Sequence, residues 1–84
     1  MRLTAELSLY PFDPDYIPPI KAFIAFLNDV EGLHVETHAT CTIISGEDQL
    51  VLDTLRDGLR WTSEHHGKVV LVSKFLPGMS LGET

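Results

Sequence analysis

Alternation of polar and apolar residues predicts four β-strands. Residues 2–10 alternate with a period of two, which is typical of a strand with one buried face. Pro11 lacks a backbone donor and is expected to stop this strand. The predicted strands span residues 2–10, 33–38, 41–45 and 68–75. Only Ala39 and Thr40 link the second strand to the third, so these two strands must form an antiparallel hairpin.

Apolar residues at helical spacing predict two helices. The first covers residues 15–30 with Ile20, Phe23, Ile24 and Leu27, and the second covers residues 46–65 with Val51, Leu52, Leu55, Leu59 and Thr62. Asp15 is expected to cap the first helix. The segment Ser45-Gly46-Glu47-Asp48 resembles a capping box and is expected to start the second. Gly67 provides a natural end.

The order strand, helix, strand, strand, helix, strand predicts an α+β protein with the ferredoxin-like βαββαβ plan. Right-handed crossovers place both helices on one face of a four-stranded antiparallel sheet. The other face stays bare unless a partner covers it. The residues expected on that bare face are Glu6, Ser8, Tyr10, Glu36, His38, Thr42 or its neighbour, Val70 and Val72. Residues 1–76 form one domain in this prediction, and residues 77–84 form a flexible C-terminal tail.

Composition predicts self-association and argues against polyanionic partners. The chain of 84 residues is 44% hydrophobic, more than one small core can bury, so a homodimer or homotetramer is expected. The net charge is −6, and the six basic residues are scattered. Binding to nucleic acid or to an anionic membrane surface is therefore not expected, whereas a cationic or amine-rich ligand suits the acidic chain.

A cytoplasmic location is the default expectation. Cys41 is the only cysteine, which makes an intramolecular disulfide impossible. The N-terminal residues alternate instead of forming a signal peptide, and the apolar runs are far shorter than a membrane span.

Neither metal binding nor catalysis is expected from the histidines and the cysteine. His34 and His38 share a strand face about 13 Å apart, too far to hold one ion. Cys41 lies three residues from His38 across the hairpin, so contact is conceivable, but its Thr and Ile surroundings favour an inert thiol. No catalytic motif appears in the chain.

Short hydroxyl side chains gather where the hairpin meets the second helix. Thr37, Thr40 and Thr42, together with Ser8 and Tyr10, provide a polar wall suited to a neutral or cationic heterocycle. A ligand amine would find a carboxylate in Glu6 or Glu36. Each of these glutamates has the alternative of simple solvation, because a third strand is expected to separate them.

The second helix carries another stripe, formed by Leu50, Thr54, Gly58, Trp61 and His65. A glycine inside a helix costs about 1 kcal/mol relative to alanine, so something is expected to approach it closely. The stripe either packs against the first helix or a subunit, or provides an aromatic wall for a flat ring.

The chain resembles the YkoF-like family over roughly residues 5–75. The resemblance rests on Ser8-Leu9-Tyr10-Pro11, Asp15-Tyr16-Ile17, Thr37-His38-Ala39-Thr40, Ser45-Gly46-Glu47 and Val69-Val70-Leu71-Val72-Ser73-Lys74. It implies a ferredoxin-like fold, assembly through sheet packing, and reversible binding of thiamine or its hydroxymethylpyrimidine part, with no chemistry and no other cofactor. By position, the implied pocket residues are Ser8, Tyr10, His38, Thr40 and Thr42.

The sequence therefore predicts a non-catalytic, thiamine-binding type of domain that serves as a carrier, a salvage protein or a sensor. The candidate ligand-binding residues are Glu6, Ser8, Tyr10, Glu36, His38, Thr40 and Thr42. One alternative is a small dimeric enzyme that uses His38 and Cys41 at a subunit interface. Another is a structural or regulatory oligomerisation module with no ligand.

Overall fold

The predicted order of six elements is confirmed by a computed structural model, which describes residues 1–79. The elements are β1 (Arg2–Pro11), α1 (Ile17–Asn28), β2 (His34–Thr37), β3 (Thr42–Glu47), α2 (Asp48–His66) and β4 (Val69–Pro77). The strands lie in the order β2-β3-β1-β4, and every neighbouring pair is antiparallel. This is the ferredoxin-like α+β fold.

The core lies between one face of the sheet and the two helices. It is formed by Leu3, Ala5 and Leu7 of β1, Ile44 of β3, Phe23 and Leu27 of α1, and Val51 and Leu55 of α2. Since alternate residues of β1 point to this face, the period of two in the sequence corresponds directly to burial. No helix among residues 1–79 has the length and apolar character needed to cross a membrane.

Of the two alternatives for the bare face, Thr42 or its neighbour, the structure selects the neighbour, because Thr42 lies on the helix-covered face. It pairs with Leu7 in the β1–β3 ladder and is only 6% exposed. Directly paired residues of neighbouring strands share a face, which puts Thr42 with the core. Its neighbour Ile43 pairs with Glu6 and takes the place on the bare face.

Both predicted helix caps are wrong. α1 begins after Tyr16 without a side-chain cap, and the backbone N–H of Asp15 itself donates to Asp13 Oδ1 at 2.9 Å. α2 begins after Glu47, also without a side-chain cap. The hydroxyl of Ser45 is buried in β3, where it is hydrogen-bonded with the hydroxyl of Thr4 at 3.1 Å. A partner on the adjacent strand has replaced the local cap.

The second stripe of α2 packs against α1. A Cβ atom at Gly58 would lie 3.3 Å from ring carbons of both Phe23 and Phe26, so the absence of a side chain lets the helices approach. Trp61 continues the contact, with its ring centroid 5.7 Å from that of Phe26. This confirms the helix-packing alternative for the stripe. The sequence also predicts that the stripe formed by Val51, Leu52, Leu55, Leu59 and Thr62 faces the sheet, but Leu52 is exposed.

β4 continues to Pro77, two residues beyond its predicted end. The N–H of Gly78 donates to the carbonyl of Arg2 at 2.8 Å, and Thr4 Oγ1 donates to the carbonyl of Met79 at 2.7 Å. Residues 77–79 are thus bonded along β1. Residues 80–84, the rest of the predicted flexible tail, lie outside the described residues.

Candidate functional site

A cavity opens where the C-terminal end of β1 extends beyond Thr42, the first residue of β3. β3 pairs with β1 only as far as Leu7, whereas β4 stays paired through Pro11. The β2–β3 hairpin turns at this level and is closed by a bond from the His38 N–H to the Cys41 carbonyl, at 2.8 Å. The space left between β1, the start of α1 and this hairpin is a cavity of about 530 Å³. That volume is in the range of small-molecule sites.

The walls of the cavity are mainly apolar and partly aromatic. Tyr10 comes from the end of β1, Tyr16 from the residue before α1, and Phe23 from the second turn of α1. Ile20 and Ile24 of α1 add aliphatic surface. Flat, polarisable side chains of this kind stack favourably on aromatic ligands.

Three aliphatic hydroxyl side chains contribute to the polar part of the lining. Ser8, Thr40 and Thr42 all contribute to the wall. Ser8 Oγ donates to the carbonyl oxygen of Thr40 at 3.2 Å, which ties the hairpin to β1. The hairpin tip is therefore held in place by hydrogen bonds from two directions, and its position fixes the width of the cavity.

Asp13 is the only carboxylate among the described residues that line the cavity. It lies in the turn between β1 and α1, and its Oδ1 accepts the Asp15 N–H in an Asx-turn. Its side chain is exposed to solvent at the cavity mouth. A fixed negative charge at an apolar cavity attracts a cationic ligand.

Five of the seven candidate residues from the sequence line this cavity, namely Ser8, Tyr10, His38, Thr40 and Thr42. The two glutamates do not. Glu6 lies on the open sheet face with its Oε1 4.0 Å from Lys74 Nζ. Glu36 lies between two histidines, 3.9 Å from His34 Nε2 and 3.8 Å from His38 Nε2. Ligand binding by the seven stays a prediction, and the structure favours Asp13 over either glutamate as the carboxylate partner.

Sequence reasoning misses the contributions of α1 and of the turn before it. The local pattern marks Asp13 only as a turn residue, and Ile20, Phe23 and Ile24 only as helix residues. The available signal is the pair of aromatic residues Tyr10 and Tyr16 on either side of the Asp13 turn. Only the position of the hairpin, which is a tertiary feature, shows that these residues face Thr40 and Thr42.

His38 and Cys41 line the same cavity, and Cys41 is partly buried. They lie at opposite ends of the hairpin tip and are joined through their backbone atoms. Within residues 1–79, no three His, Cys, Asp or Glu side chains come together in a way that could hold a metal ion.

Pro11 is the last residue of β1, one residue beyond the predicted end, and it stays in the ladder because of the alternation of backbone bonds. Even-numbered residues of β1 form their backbone hydrogen bonds with β4. At one end the Arg2 carbonyl accepts from the Gly78 N–H, and just past the other end the N–H of Phe12 donates to the Lys68 carbonyl at 2.9 Å. Odd-numbered residues face β3. Pro11 therefore lacks its N–H on the side of β1 that β3 does not reach, and no ladder bond is lost.

A family model described as the YKOF-related family matches residues 2–78 of the chain. No curated protein matches it.

Solved structures with the same fold come from bacteria and archaea. A protein from Streptococcus pneumoniae is 23% identical, with a TM-score of 0.86 over 98% of this chain and 92% of the other. A hypothetical protein from Methanocaldococcus jannascii is 21% identical, with a TM-score of 0.81 over 99% and 87%. A candidate thiamine biosynthesis/salvage protein from Thermotoga maritima is 18% identical, with a TM-score of 0.80 over 89% and 82%.

Proposed function

Since the chain belongs to the YKOF-related family, we propose that its cavity binds thiamine or a related hydroxymethylpyrimidine reversibly, without changing it chemically. The protein would then act as a carrier, a salvage protein or a sensor. The family membership and the candidate thiamine biosynthesis/salvage role of the Thermotoga maritima protein support this choice of ligand. Cys41, the one cysteine in these 84 residues, suits the reducing cytoplasm, where we propose that the protein works.

The cavity itself is the observation that carries the proposal. Its volume of about 530 Å³ matches a ligand of two small rings. Tyr10, Tyr16 and Phe23 offer aromatic surface for a flat pyrimidine, and Ser8 and Thr40 lie in the same wall. A site that combines aromatic surface with a few convergent polar groups is typical of reversible binding of a heterocycle.

The charge of the site fits the cationic half of thiamine. The thiazolium ring carries a permanent positive charge, and Asp13 places a carboxylate at the cavity. The net charge of −6 adds a long-range attraction for a cation. Hydroxymethylpyrimidine is neutral near pH 7, so neither the Asp13 carboxylate nor the net charge of the chain would strengthen its binding much.

Calorimetric titration with the two compounds tests this proposal. We expect wild-type protein to bind both, and Asp13→Asn to weaken thiamine binding by about tenfold while changing hydroxymethylpyrimidine binding by less than about twofold. Asparagine keeps an oxygen that can accept the Asp15 N–H, so the turn is preserved. Asp15→Asn is the matched control. It removes the same charge only two positions further along the chain, at a residue that does not line the cavity.

Failure of both compounds to bind at millimolar concentration would refute the ligand assignment. Equal losses for Asp13→Asn and Asp15→Asn would show that only the overall charge matters, and would remove Asp13 from the site.

A second candidate is an enzyme of the same fold, because His38 and Cys41 lie in one cavity wall. The two proposals differ in what they require of the thiol. For a binding protein, we expect Cys41→Ser, which is nearly isosteric, to keep the dissociation constant for thiamine within about twofold. Mass spectrometry of the bound ligand should recover it unaltered from both proteins. Conversion of the ligand by wild-type protein but not by Cys41→Ser would favour the enzyme.

We also propose that a second copy of the chain covers the sheet face opposite the helices, giving a homodimer or, with further contacts, a homotetramer. Val70, Val72 and Leu76 of β4 are exposed on this face. They pair with Tyr10, Ser8 and Thr4 of β1, which places all six side chains on one surface. Apolar strand residues exposed in a row are typical of a surface that is buried on assembly.

A further inference from the structure

The backbone of Leu9 lies at an open edge inside the cavity. In an antiparallel ladder, the N–H and C=O of one residue point to the same side, and successive residues alternate. Leu3, Ala5 and Leu7 point to β3, which pairs with each of them. Leu9 follows this alternation but lies beyond the last paired residue, so its N–H and C=O point into the space that β3 has left.

Continuing the register would pair Leu9 with Thr40, because Leu7 pairs with Thr42. The carbonyl of Thr40 is instead occupied by Ser8 Oγ, at 3.2 Å. Among residues 1–79, no group hydrogen-bonds to the N–H or C=O of Leu9. Leu9 itself is part of the cavity lining. The cavity floor therefore carries one free donor and one free acceptor side by side.

We propose that the N–H and C=O of Leu9 are the groups that recognise the ligand, by pairing with a heterocycle edge that carries an acceptor nitrogen beside an amino group. A 4-aminopyrimidine has such an edge. Its ring nitrogen accepts from the Leu9 N–H while its amino group donates to the Leu9 carbonyl. This inference rests on the proposed function and states which edge of the pyrimidine is read.

Pro11 supports a small heterocycle over an added peptide strand as the occupant. A peptide strand on this edge of β1 would need bonds at Leu9 and again at Pro11, the next residue that faces the same way. Pro11 has no N–H to give, and it also lines the cavity. The open edge is thus one residue long, which suits a single ring and is too short for strand addition.

Recognition by backbone also explains how an apolar wall can be selective. A buried carbonyl left without a donor is costly, so a ligand without the amino group should bind less well. We expect the 4-desamino analogue of hydroxymethylpyrimidine to bind about tenfold more weakly than the parent compound. The contacts between the pyrimidine ring and the aromatic side chains of the cavity wall should be the same for both compounds.

Hydrogen exchange of the free protein tests the open edge directly. The amide of Leu9 should exchange much faster than those of Leu7 and Tyr10, which are held in the two ladders. Bound hydroxymethylpyrimidine should slow the exchange of the Leu9 amide. Slow exchange of the Leu9 amide without ligand would overturn the inference whatever the protein binds.

Replacing the Leu9 amide with an ester tests recognition without altering any side chain. The full chain can be assembled by ligation at Cys41 from a synthetic segment that carries the ester. We expect the Leu9 ester to weaken hydroxymethylpyrimidine binding about tenfold and to leave the unfolding midpoint nearly unchanged. The Leu7 ester is the control, because it removes a ladder bond and should lower the midpoint.

The outcomes separate the two proposals. If wild-type protein binds hydroxymethylpyrimidine and the Leu9 ester binds it equally well, this inference fails and the proposed function stands. If wild-type protein binds neither hydroxymethylpyrimidine nor thiamine, both fail.

Discussion

Replacing Leu27 with alanine should lower the free energy of unfolding by about 3 kcal/mol. Leu27 is 0% exposed and lies in α1 at the centre of the core. The substitution removes three buried carbon atoms and leaves a cavity that the surrounding side chains of β1 and α2 only partly fill. Because a chain of this length has a total stability of about 4–12 kcal/mol, the loss is a large share of it.

Thermal unfolding followed by circular dichroism would measure the effect as a drop in midpoint of about 12–24 °C. Leu52→Ala is the matched control, since Leu52 is also a helical leucine but is 50% exposed. We expect it to change the stability by less than about 0.5 kcal/mol. Similar midpoints for the two variants would contradict the assignment of Leu27 to the core.

Replacing Val72 with glutamate should convert the proposed dimer or tetramer to monomers. Val72 is 49% exposed in the middle of β4, on the face away from the helices, between Val70 and Lys74. In a symmetric dimer the carboxylate introduced into each copy would be buried against apolar surface without a partner. An unpaired charge of this kind costs several kcal/mol, so we expect the dissociation constant to rise more than about 100-fold.

Sedimentation equilibrium with both proteins would measure this change. Phe75→Glu is the control, because Phe75 lies on the same strand and is 45% exposed, but it pairs with Ala5 and so faces the helix side. It should leave the oligomeric state unchanged. A monomeric wild-type protein, or equal dissociation by both variants, would rule out assembly through the open sheet face.

The fold was largely predictable because its strands carry simple alternation. The period of two in β1 separates Leu3, Ala5 and Leu7 from Glu6 and Ser8, and the short link at residues 39–40 leaves only a hairpin. Helix starts were not predictable in the same way. Ser45 stands three residues before Asp48, as in a capping box, but its hydroxyl is hydrogen-bonded with Thr4, which is 41 positions away in the sequence. A hydrogen bond to a residue distant in sequence therefore overrides the local preference for a helix cap.

The site was predictable only in part, and the division has a physical basis. Ser8 and Thr40 were found because strand ends and hairpins collect short polar side chains. Glu6 and Glu36 were favoured by parity on the sheet face, yet the cavity lies at the end of the sheet. Asp13 was missed because nothing in its local sequence shows that α1 and the hairpin meet above it.

The apolar walls of the cavity also link ligand binding to folding. Phe23 lines the cavity and touches the position of Gly58 between the two helices. A ligand that binds only the folded protein raises its stability by mass action. The midpoint of unfolding should therefore rise with thiamine concentration.

The two outer strands of the sheet, β2 and β4, differ in a way that disfavours fibre formation by strand addition. β2 has four residues, and its Glu36 lies 3.9 Å from His34 Nε2 and 3.8 Å from Nε2 of His38, the residue after the strand, whereas β4 has nine residues with several apolar side chains. A fibre built by strand addition needs an accessible rim on both sides of every molecule, and short charged strands are poor templates. We therefore expect any edge-to-edge contact between copies to form along β4 alone, so that it ends at pairs and does not extend into filaments.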